Sequence, residues 1–307
     1  MNSRKKQMEE VSVLYYKKNY TQQEIAKLLT LSRQTVSKLL NEAIEQNIVE
    51  IRIHDSESEC RELESALRDS FGVKTAVVCG VDSANESVRL LMTARKAAEH
   101  LLPLLRQGGQ KIAVSWGRTV QAVIAELPKE ETAGNVVFPL FGATDIEQSC
   151  YLSNELARSF ADRISAKGKY AWFPYRPDGE EDLALFRKTS YYQTMQALWD
   201  SIDLAVVGIG NQETLACFSE IFRADRAGTD AVGDISTHFF SPEGAILDLY
   251  GNTLRASAEN LKRAKQVVAV ACGDEKAAAI RGALKTGIVD TLITDEYTAQ
   301  KVLRACI

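Results

Sequence analysis

The sequence predicts an α/β protein in which a small helical domain precedes a large domain with a mostly parallel sheet. Residues 1–54 contain three periodic apolar segments typical of short amphipathic helices. From about Lys74 onward, short apolar runs alternate with helical patterns, as in doubly wound sheets covered by helices on both faces. We therefore expect a winged-helix-like helix-turn-helix domain over 1–54 and a doubly wound domain over 55–307.

The bulk composition fits this division and separates the domains by charge. The 307 residues are 45% apolar, which is enough to form a large core. The net charge of −4 argues against general coating of nucleic acid, yet residues 1–55 hold nine basic and seven acidic residues. The positive charge is therefore concentrated in the first domain.

Targeting, membrane and metal-binding segments are not predicted. No run of about 18 apolar residues exists, and the opening MNSRKKQMEE lacks the apolar core of a secretory signal. The six cysteines are scattered, and Cys79, Cys217 and Cys272 lie in apolar runs typical of small core residues. We expect a cytoplasmic protein in a reducing environment, with no metal and no cofactor.

Three helices and a short strand are predicted in the first domain. The first helix covers roughly Lys5–Lys18. Thr21 is placed to cap the second helix, with Glu24 three residues later as in a capping box, and Ser32 is placed to cap the third. VEIRIHD alternates apolar and polar residues and predicts a strand. A polar linker, HDSESEC, then leads into the helix RELESALRDSFG.

The second and third helices match a helix-turn-helix. Ala26 is the small residue that such a motif needs where its helices cross. Thr30 occupies the turn position where glycine is usual, so it must adopt a positive φ or shift the turn. The alternative is an ordinary helical hairpin beside an α/β enzyme. The predicted core offsets are filled by Ile25, Ala26, Leu29, Leu31, Val36 and Leu39.

The outward face of this motif predicts contacts with double-stranded DNA. Arginine and glutamine can read guanine and adenine bidentately in the major groove, and the other polar side chains can reach bases or phosphates. The predicted DNA-binding residues are Thr21, Gln22, Ser32, Arg33, Gln34, Thr35, Ser37 and Lys38.

The second domain alternates strands and helices in a regular order. The predicted strands are TAVVCG, KIAVSWG, GNVVFPLFG, YAWFPY, LAVVGIG, AILDLYG, QVVAVAC and TLITD. The predicted helices are VRLLMTARKAAEHLLPLL, TVQAVIAEL, NELARSFADRI, KAAAIRGALKTG and YTAQKVLRA.

Three glycine-bearing turns follow strands of this sheet and predict a ligand site. They are SWGRT with Gly117, Arg118 and Thr119, FGATD with Gly142, and GIG with Gly208 and Gly210. Backbone N–H groups at a helix start can cradle a phosphate or hydroxyl, and glycine lets a ligand approach the backbone. A plain tight turn explains any one of these turns alone. Three of them at strand ends of one sheet predict a common rim.

Two charged residues extend the predicted site. Asp234, in the apolar setting of VGDIS, can accept hydrogen bonds from sugar hydroxyls. Lys276 follows a strand at a helix start, where it can hold a phosphate as a point charge. A buried structural aspartate and a solvated surface lysine are the alternatives. His54, His100 and His238 are dispersed and form no nucleophile or metal pattern, so no catalytic residue is predicted.

The sequence resembles the SorC family of sugar-sensing bacterial regulators. The stretch YYKKNYTQQEIAKLLTLSRQTVSKLLNEAIEQNIVEIRI is similar to the family's helix-turn-helix. FGVKTAVV, KIAVSWGRT, WDSIDLAVVGIG, VGDISTHFF, VVAVACGDEKAAAI and TLITDEYTA are similar to its effector domain. The resemblance implies a sugar-binding domain like the phosphosugar isomerases but without their chemistry. It also implies a homotetramer or dimer on a palindromic operator.

The resemblance further assigns roles at the predicted rim. It implies that Gly117, Arg118 and Thr119 hold the effector's phosphate, that Asp234 binds sugar hydroxyls and that Lys276 binds phosphate. Relatives that bind phosphosugars carry a basic residue just before the glycine that follows the VVFPL-type strand. Phe141 occupies that position here, which leaves room for a free sugar or polyol as well as a sugar phosphate.

The leading interpretation is a regulator of a carbohydrate operon whose DNA binding is controlled by such an effector. The alternative is a sugar-phosphate isomerase-like enzyme with an appended helical domain, and robust turnover of pentose or hexose phosphates would favour it. SWGRT lacks the spacing of a nucleotide-binding P-loop.

Overall fold

The computed structural model describes residues 2–46, 48–49, 56–144, 152–211, 230–249 and 251–304. The chain divides into two compact units, Met1–Asp55 and Ser56–Ile307. The predicted boundary between residues 54 and 55 lies one position earlier. We call these units the N-terminal unit and the sensor unit.

The N-terminal unit contains helices α1 (Asn2–Ser12), α2 (Gln22–Leu28) and α3 (Arg33–Glu45). The first helix begins at Asn2, three residues before the predicted start at Lys5. It continues into a π-helix over Val13–Lys17. Asn19 follows with a φ of 56°, a left-handed conformation that asparagine tolerates at a helix end. Most of the predicted strand VEIRIHD lies outside the described residues.

The sensor unit is built on a sheet with the strand order β1-β10-β9-β5-β2-β3-β4. Every neighbouring pair along this order is parallel. A hairpin arm, β6-β7-β8, joins the sheet antiparallel to β5. The strands are β1 (Thr75–Cys79), β2 (Lys111–Val114), β3 (Val136–Pro139), β4 (Lys167–Gly168), β5 (Leu204–Gly210), β6 (Gly233–Ile235), β7 (His238–Phe240), β8 (Ile246–Leu247), β9 (Gln266–Val270) and β10 (Thr291–Asp295).

The helices of the sensor unit connect these strands. Their apolar residues recur every three or four positions, which places one face of each helix against the sheet and the polar face toward solvent. They are α4 (Ser56–Phe71), α5 (Glu86–Leu105), α6 (Arg118–Glu126), α7 (Ser153–Arg163), α8 (Glu180–Lys188), α9 (Ser190–Trp199), α10 (Ala258–Arg263), α11 (Ala277–Lys285) and α12 (Glu296–Arg304), with a 3₁₀ turn at Asp274–Lys276.

The strand order reverses between β2 and β5. From β2 the chain moves to β3 and β4 on one side, then returns to β5 on the other side and continues to β9 and β10. This confirms the doubly wound α/β fold. In such sheets the crevice beyond the carboxyl ends of the strands at the reversal is where ligands bind.

The prediction that YAWFPY forms a strand is wrong. The segment pairs through Pro174 with Ala143 alone, and a proline has no N–H to extend a ladder. The aromatic run is apolar because its side chains pack into the core, where Phe173 and Tyr175 are buried. Helices α8 and α9 were not predicted, although Thr189 caps α9 through its side chain.

Candidate DNA-binding and effector sites

The core of the N-terminal unit joins its three helices as the helix-turn-helix pattern predicts. Ile25, Ala26, Val36 and Leu39 are buried together with residues of α1, while Leu29 and Leu31 pack against them at the rim. These contacts fix the angle between α2 and α3, so they determine which face of α3 is left outward.

Side-chain caps define where both helices of the motif begin. At α2, the Thr21 backbone N–H donates to Glu24 Oε2 at 2.8 Å, and the Glu24 N–H donates to Thr21 Oγ1 at 3.3 Å. At α3, the Thr35 N–H donates to Ser32 Oγ at 3.0 Å. The predicted capping box is therefore confirmed, and replacing such a cap by alanine typically costs about 1 kcal/mol.

The turn between α2 and α3 is made without glycine. Thr30 has a φ of 55°, as its position in the motif requires, and the Leu31 N–H donates to the Ala26 carbonyl at 2.9 Å. A β-branched residue in this region is strained. The turn therefore keeps its geometry at some cost in stability.

The predicted DNA-binding residues lie on the outer side of the motif. Arg33, Gln34 and Lys38 are exposed on α3, and Ser37 and Gln22 are partly exposed. Thr21 and Ser32 are exposed but serve as caps, and the Ser32 and Thr35 hydroxyl oxygens lie 2.8 Å apart. Contact with DNA stays a prediction for all eight residues.

The sensor unit has a pocket at the reversal of strand order between β2 and β5. It brings together seven of the eight predicted effector residues from segments far apart in sequence. Residues that the prediction missed complete it. The lining consists of Ser115, Trp116, Gly117, Arg118, Thr119, Gly208, Ile209, Gly210, Asp234, Ser236 and Lys276.

One wall of the pocket is the start of α6. Gly117 is its N-cap residue, with a φ of 110° that other residues rarely adopt, and as a glycine it has no side chain to cap this end. The first N–H groups of a helix carry partial positive charge and attract anions. Arg118 is exposed beside the buried Thr119, so this wall combines backbone donors, a hydroxyl and a cation.

A second cation, Lys276, reaches the same pocket from the 3₁₀ turn. Burial lowers the pKa of its ammonium group, the charge of Arg118 lowers that pKa further, and the carboxylate of Asp234 opposes the shift. Two like charges that share a partly enclosed pocket repel each other, and an anionic ligand would relieve that repulsion.

The carboxylate of the pocket is held by the hairpin between β6 and β7. Asp234 is 3% exposed, and its Oδ2 accepts from the Thr237 N–H at 2.9 Å. Ser236 and Thr237 both have positive φ, at 50° and 68°, as a two-residue type I′ turn requires. Arg255 donates to the Thr237 hydroxyl at 3.0 Å and to its carbonyl, which helps to hold the strained turn.

The lining of the pocket also contains a buried hydroxyl, that of Ser115. Ser115 is 1% exposed, and its Oγ has no hydrogen-bond partner within the described part of the chain. A buried polar group is normally satisfied, so this hydroxyl is available to a ligand. Ser115 and Trp116 belong to the SWGRT turn and Ser236 lies two residues after Asp234, so a wider window around each motif would have included them.

Gly142 does not line the pocket. Its N–H donates to the Leu254 carbonyl at 2.9 Å, its carbonyl accepts from Ser153 Oγ at 3.2 Å, and an added Cβ would lie 2.5 Å from the Pro174 carbonyl. Close backbone packing therefore accounts for this glycine.

Phe141 contributes to an aromatic wall behind the pocket. Its ring meets Trp116 at a centroid distance of 4.6 Å and Tyr175 at 5.7 Å, and it is completely buried. The position therefore supplies packing to Trp116, which lines the pocket, and supplies no charge.

The described histidines do not join the pocket. His238 is buried, its Nε2 lies 2.9 Å from the Ala256 carbonyl, and burial lowers its pKa to about 3. His100 lies on α5, and burial lowers its pKa as well. His54 lies outside the described residues. Within the described ranges, neither a cluster of metal-ligating side chains nor a helix able to span a membrane is found.

Comparisons with known proteins match both units. The family model described as "Putative sugar-binding domain" matches residues 55–304, and the model for region 4 of sigma-70 matches residues 7–46. The sorbitol operon regulator of Klebsiella pneumoniae is 31% identical over 96% of both chains. The deoxyribonucleoside regulator of Bacillus subtilis is 26% identical over 99% of both.

A solved structure agrees over nearly the whole chain. The full-length sorbitol operon regulator SorC from Klebsiella pneumoniae superimposes with a TM-score of 0.76 at 29% identity, covering 97% of this chain and 99% of that one. Family model, sequence and structure thus agree across both units. The chain belongs to the SorC family of sugar-binding transcriptional regulators.

Proposed function

We propose that this regulator binds operator DNA through α3 and senses a sugar or polyol carrying one anionic group, such as a monophosphate, in the pocket between β2 and β5. The observation that carries the proposal is the convergence on one pocket of the start of α6 at Gly117, Arg118 and Lys276. Asp234 and Ser115 then supply an acceptor and a hydroxyl for the sugar's own hydroxyl groups.

The shape of the charge distribution favours a single anionic group. Arg118, Lys276 and the N-terminus of α6 line the same pocket and can share one anionic group. The carboxylate of Asp234 and the apolar ring of Trp116, backed by Phe141, would disfavour a second phosphate. The name of the similar sorbitol operon regulator is consistent with a polyol or its phosphate as the effector.

The control of DNA binding would operate as a population shift. An effector that binds one arrangement of subunits better than another would change the spacing of the recognition helices in a dimer or tetramer. A coupling free energy of about 1–3 kcal/mol would change operator affinity about 5- to 150-fold. The protein would act in the cytoplasm, where operator DNA is available to it.

We infer that the pocket binds its ligand without turning it over. His238, the described histidine nearest in sequence to Asp234, is neutral and engaged with a backbone carbonyl, so it is not placed to transfer protons in the pocket. Robust isomerisation of a bound sugar phosphate would contradict this and favour the enzyme alternative.

The experiment that tests the proposal is a thermal-shift screen of free sugars, polyols, and their mono- and bisphosphates. Ligand at a hundred times its Kd stabilises the native state by about 2.7 kcal/mol, so true ligands should stand out. We expect a monophosphate to stabilise the wild type more than its neutral parent, and Lys276→Met to remove that difference. If the monophosphate and its neutral parent stabilised the wild type equally, or if the monophosphate kept its advantage in Lys276→Met, the anionic site would be contradicted.

A further inference from the structure

The 3₁₀ turn that carries Lys276 is held by an ion-pair clamp outside the pocket. Asp274, two residues before Lys276, accepts from Arg89 Nη1 at 2.9 Å through Oδ1 and lies 2.7 Å from Lys301 Nζ through Oδ2. Arg89 belongs to α5 and Lys301 to α12, so one carboxylate ties the turn to two helices. We call Arg89, Asp274 and Lys301 the clamp.

Arg89 is the buried member of the clamp, and several groups surround its guanidinium. The Arg89 side chain is 4% exposed, its Nε lies 3.7 Å from Asp295 Oδ1, and its guanidinium lies over the Tyr297 ring at 5.3 Å. A buried guanidinium in these contacts has little freedom to move. Asp274 therefore meets a fixed partner on the α5 side.

A second link fixes the same turn through its backbone. The Gly273 N–H donates to Thr298 Oγ1 at 2.9 Å, and Thr298 is itself held by Asp295, whose carboxylate accepts from its N–H at 3.1 Å and from its hydroxyl. The Lys276 N–H closes the turn on the Gly273 carbonyl at 3.1 Å. The start of the turn is thus anchored, and the lysine extends from its end.

We propose that Asp274 is a positioning residue for the effector: by bridging Arg89 and Lys301, it holds the 3₁₀ turn so that the Lys276 ammonium group stays in the pocket. Without the bridge, the ammonium would gain by leaving the pocket for solvent, because burial disfavours its charged form and it shares the pocket with Arg118. This inference rests on the proposed function, since it assumes that Lys276 binds the anionic group of the effector.

The test uses inorganic phosphate as the probe and full-length variants at constant ionic strength. Asp274→Asn keeps the shape of the side chain and removes its charge. The matched control is Asp203→Asn, because Asp203 also bridges a lysine, Lys265 at 2.7 Å, and a backbone N–H, that of Lys111 at 2.8 Å, at the amino end of the sheet away from the pocket. Phosphate affinity is measured by calorimetric titration, and folding by urea unfolding.

We expect Asp274→Asn to bind phosphate about tenfold more weakly than Asp203→Asn, given the strength of hydrogen bonds to charged groups. Lys301→Met removes only the exposed half of the clamp and should weaken phosphate binding by about twofold, so it serves if Asp274→Asn fails to fold. In a Lys276→Met background, Asp274→Asn should cause no further loss, because the clamp acts through that lysine.

The outcomes separate this inference from the proposed function. Wild-type affinity in Asp274→Asn, or losses from Asp274→Asn and Lys276→Met that multiply in the double variant, would overturn the clamp while leaving the anionic pocket intact. Failure of the wild type to bind phosphate, or full affinity in Lys276→Met, would overturn the anionic pocket and the clamp together.

Discussion

The two units of this chain place their predicted site residues in different ways. The outward face of the helix-turn-helix comes from one contiguous segment, residues 21–38, whose caps and core offsets are local. The proposed effector pocket is assembled from separate segments around residues 115–119, 208–210, 234–236 and 276. A substitution in the helix-turn-helix should therefore affect only its neighbours, whereas the geometry of the pocket depends on the packing of the whole sheet.

The largest expected effect separates DNA affinity from ligand binding. Arg33→Ala removes an exposed cation at the start of α3, and loss of a bidentate base contact typically costs about 1–3 kcal/mol of operator binding. Fluorescence anisotropy on a duplex selected from random sequences should show this loss, while thermal stabilisation by the effector stays unchanged.

Arg4→Ala is the matched control for that substitution. It removes the same charge from the same unit, but the Arg4 guanidinium is already engaged with Glu42 at 2.9 and 2.7 Å. An equal loss of operator affinity in both variants would mean that α3 contributes only general positive charge.

A second prediction concerns the pH dependence of the sensor unit alone. Burial lowers the pKa of His238 to about 3, whereas an unfolded histidine has a pKa near 6.5. Between these values the unfolded state binds the extra proton, so stability is lost as the pH falls below about 6.5. The loss should reach about 2 kcal/mol at pH 5.

Tryptophan fluorescence can isolate this effect, because Trp116, Trp172 and Trp199 are the three tryptophans of the chain and all lie in the sensor unit. Urea unfolding of wild type and His238→Gln should give different slopes of stability against pH between 5 and 6.5. Parallel slopes would show that His238 is protonated in the native state.

The smallest expected effect lies in the turn of the N-terminal unit. Thr30→Gly should relieve the strain of a φ of 55°, offset by the greater entropy of glycine in the unfolded chain, for a net gain of at most about 1 kcal/mol. Slower hydrogen exchange of the α2 and α3 amides would report the gain. Thr30→Asn should give part of it, and faster exchange in both variants would show that the turn is unstrained.

The difference between the units also explains how much could be predicted from sequence. Caps and helical offsets act within a few residues, so Thr21, Ser32 and Ala26 had their structural settings predicted correctly. The alternation of apolar runs and helical patterns predicted the parallel sheet correctly. The reversal of strand order in that sheet brings Gly117, Gly208, Asp234 and Lys276 to one pocket.

What could not be predicted depended on contacts between distant segments. Gly142 looks like a ligand-binding glycine in sequence, but it is required by the approach of the Pro174 backbone. The aromatic run around Phe173 has the apolarity of a strand without its pairing. The bridge from Asp274 to Arg89 spans 185 positions, and no local pattern encodes it.

The most direct test of the central claim joins both units in one measurement. Operator affinity of the full-length protein is measured by anisotropy with and without the best ligand of the thermal-shift screen, for wild type and Lys276→Met. We predict that the ligand changes wild-type affinity about 5- to 150-fold. Lys276→Met should bind the operator normally and ignore the ligand at the same concentration. An unchanged ligand response in Lys276→Met would contradict control of DNA binding through this pocket.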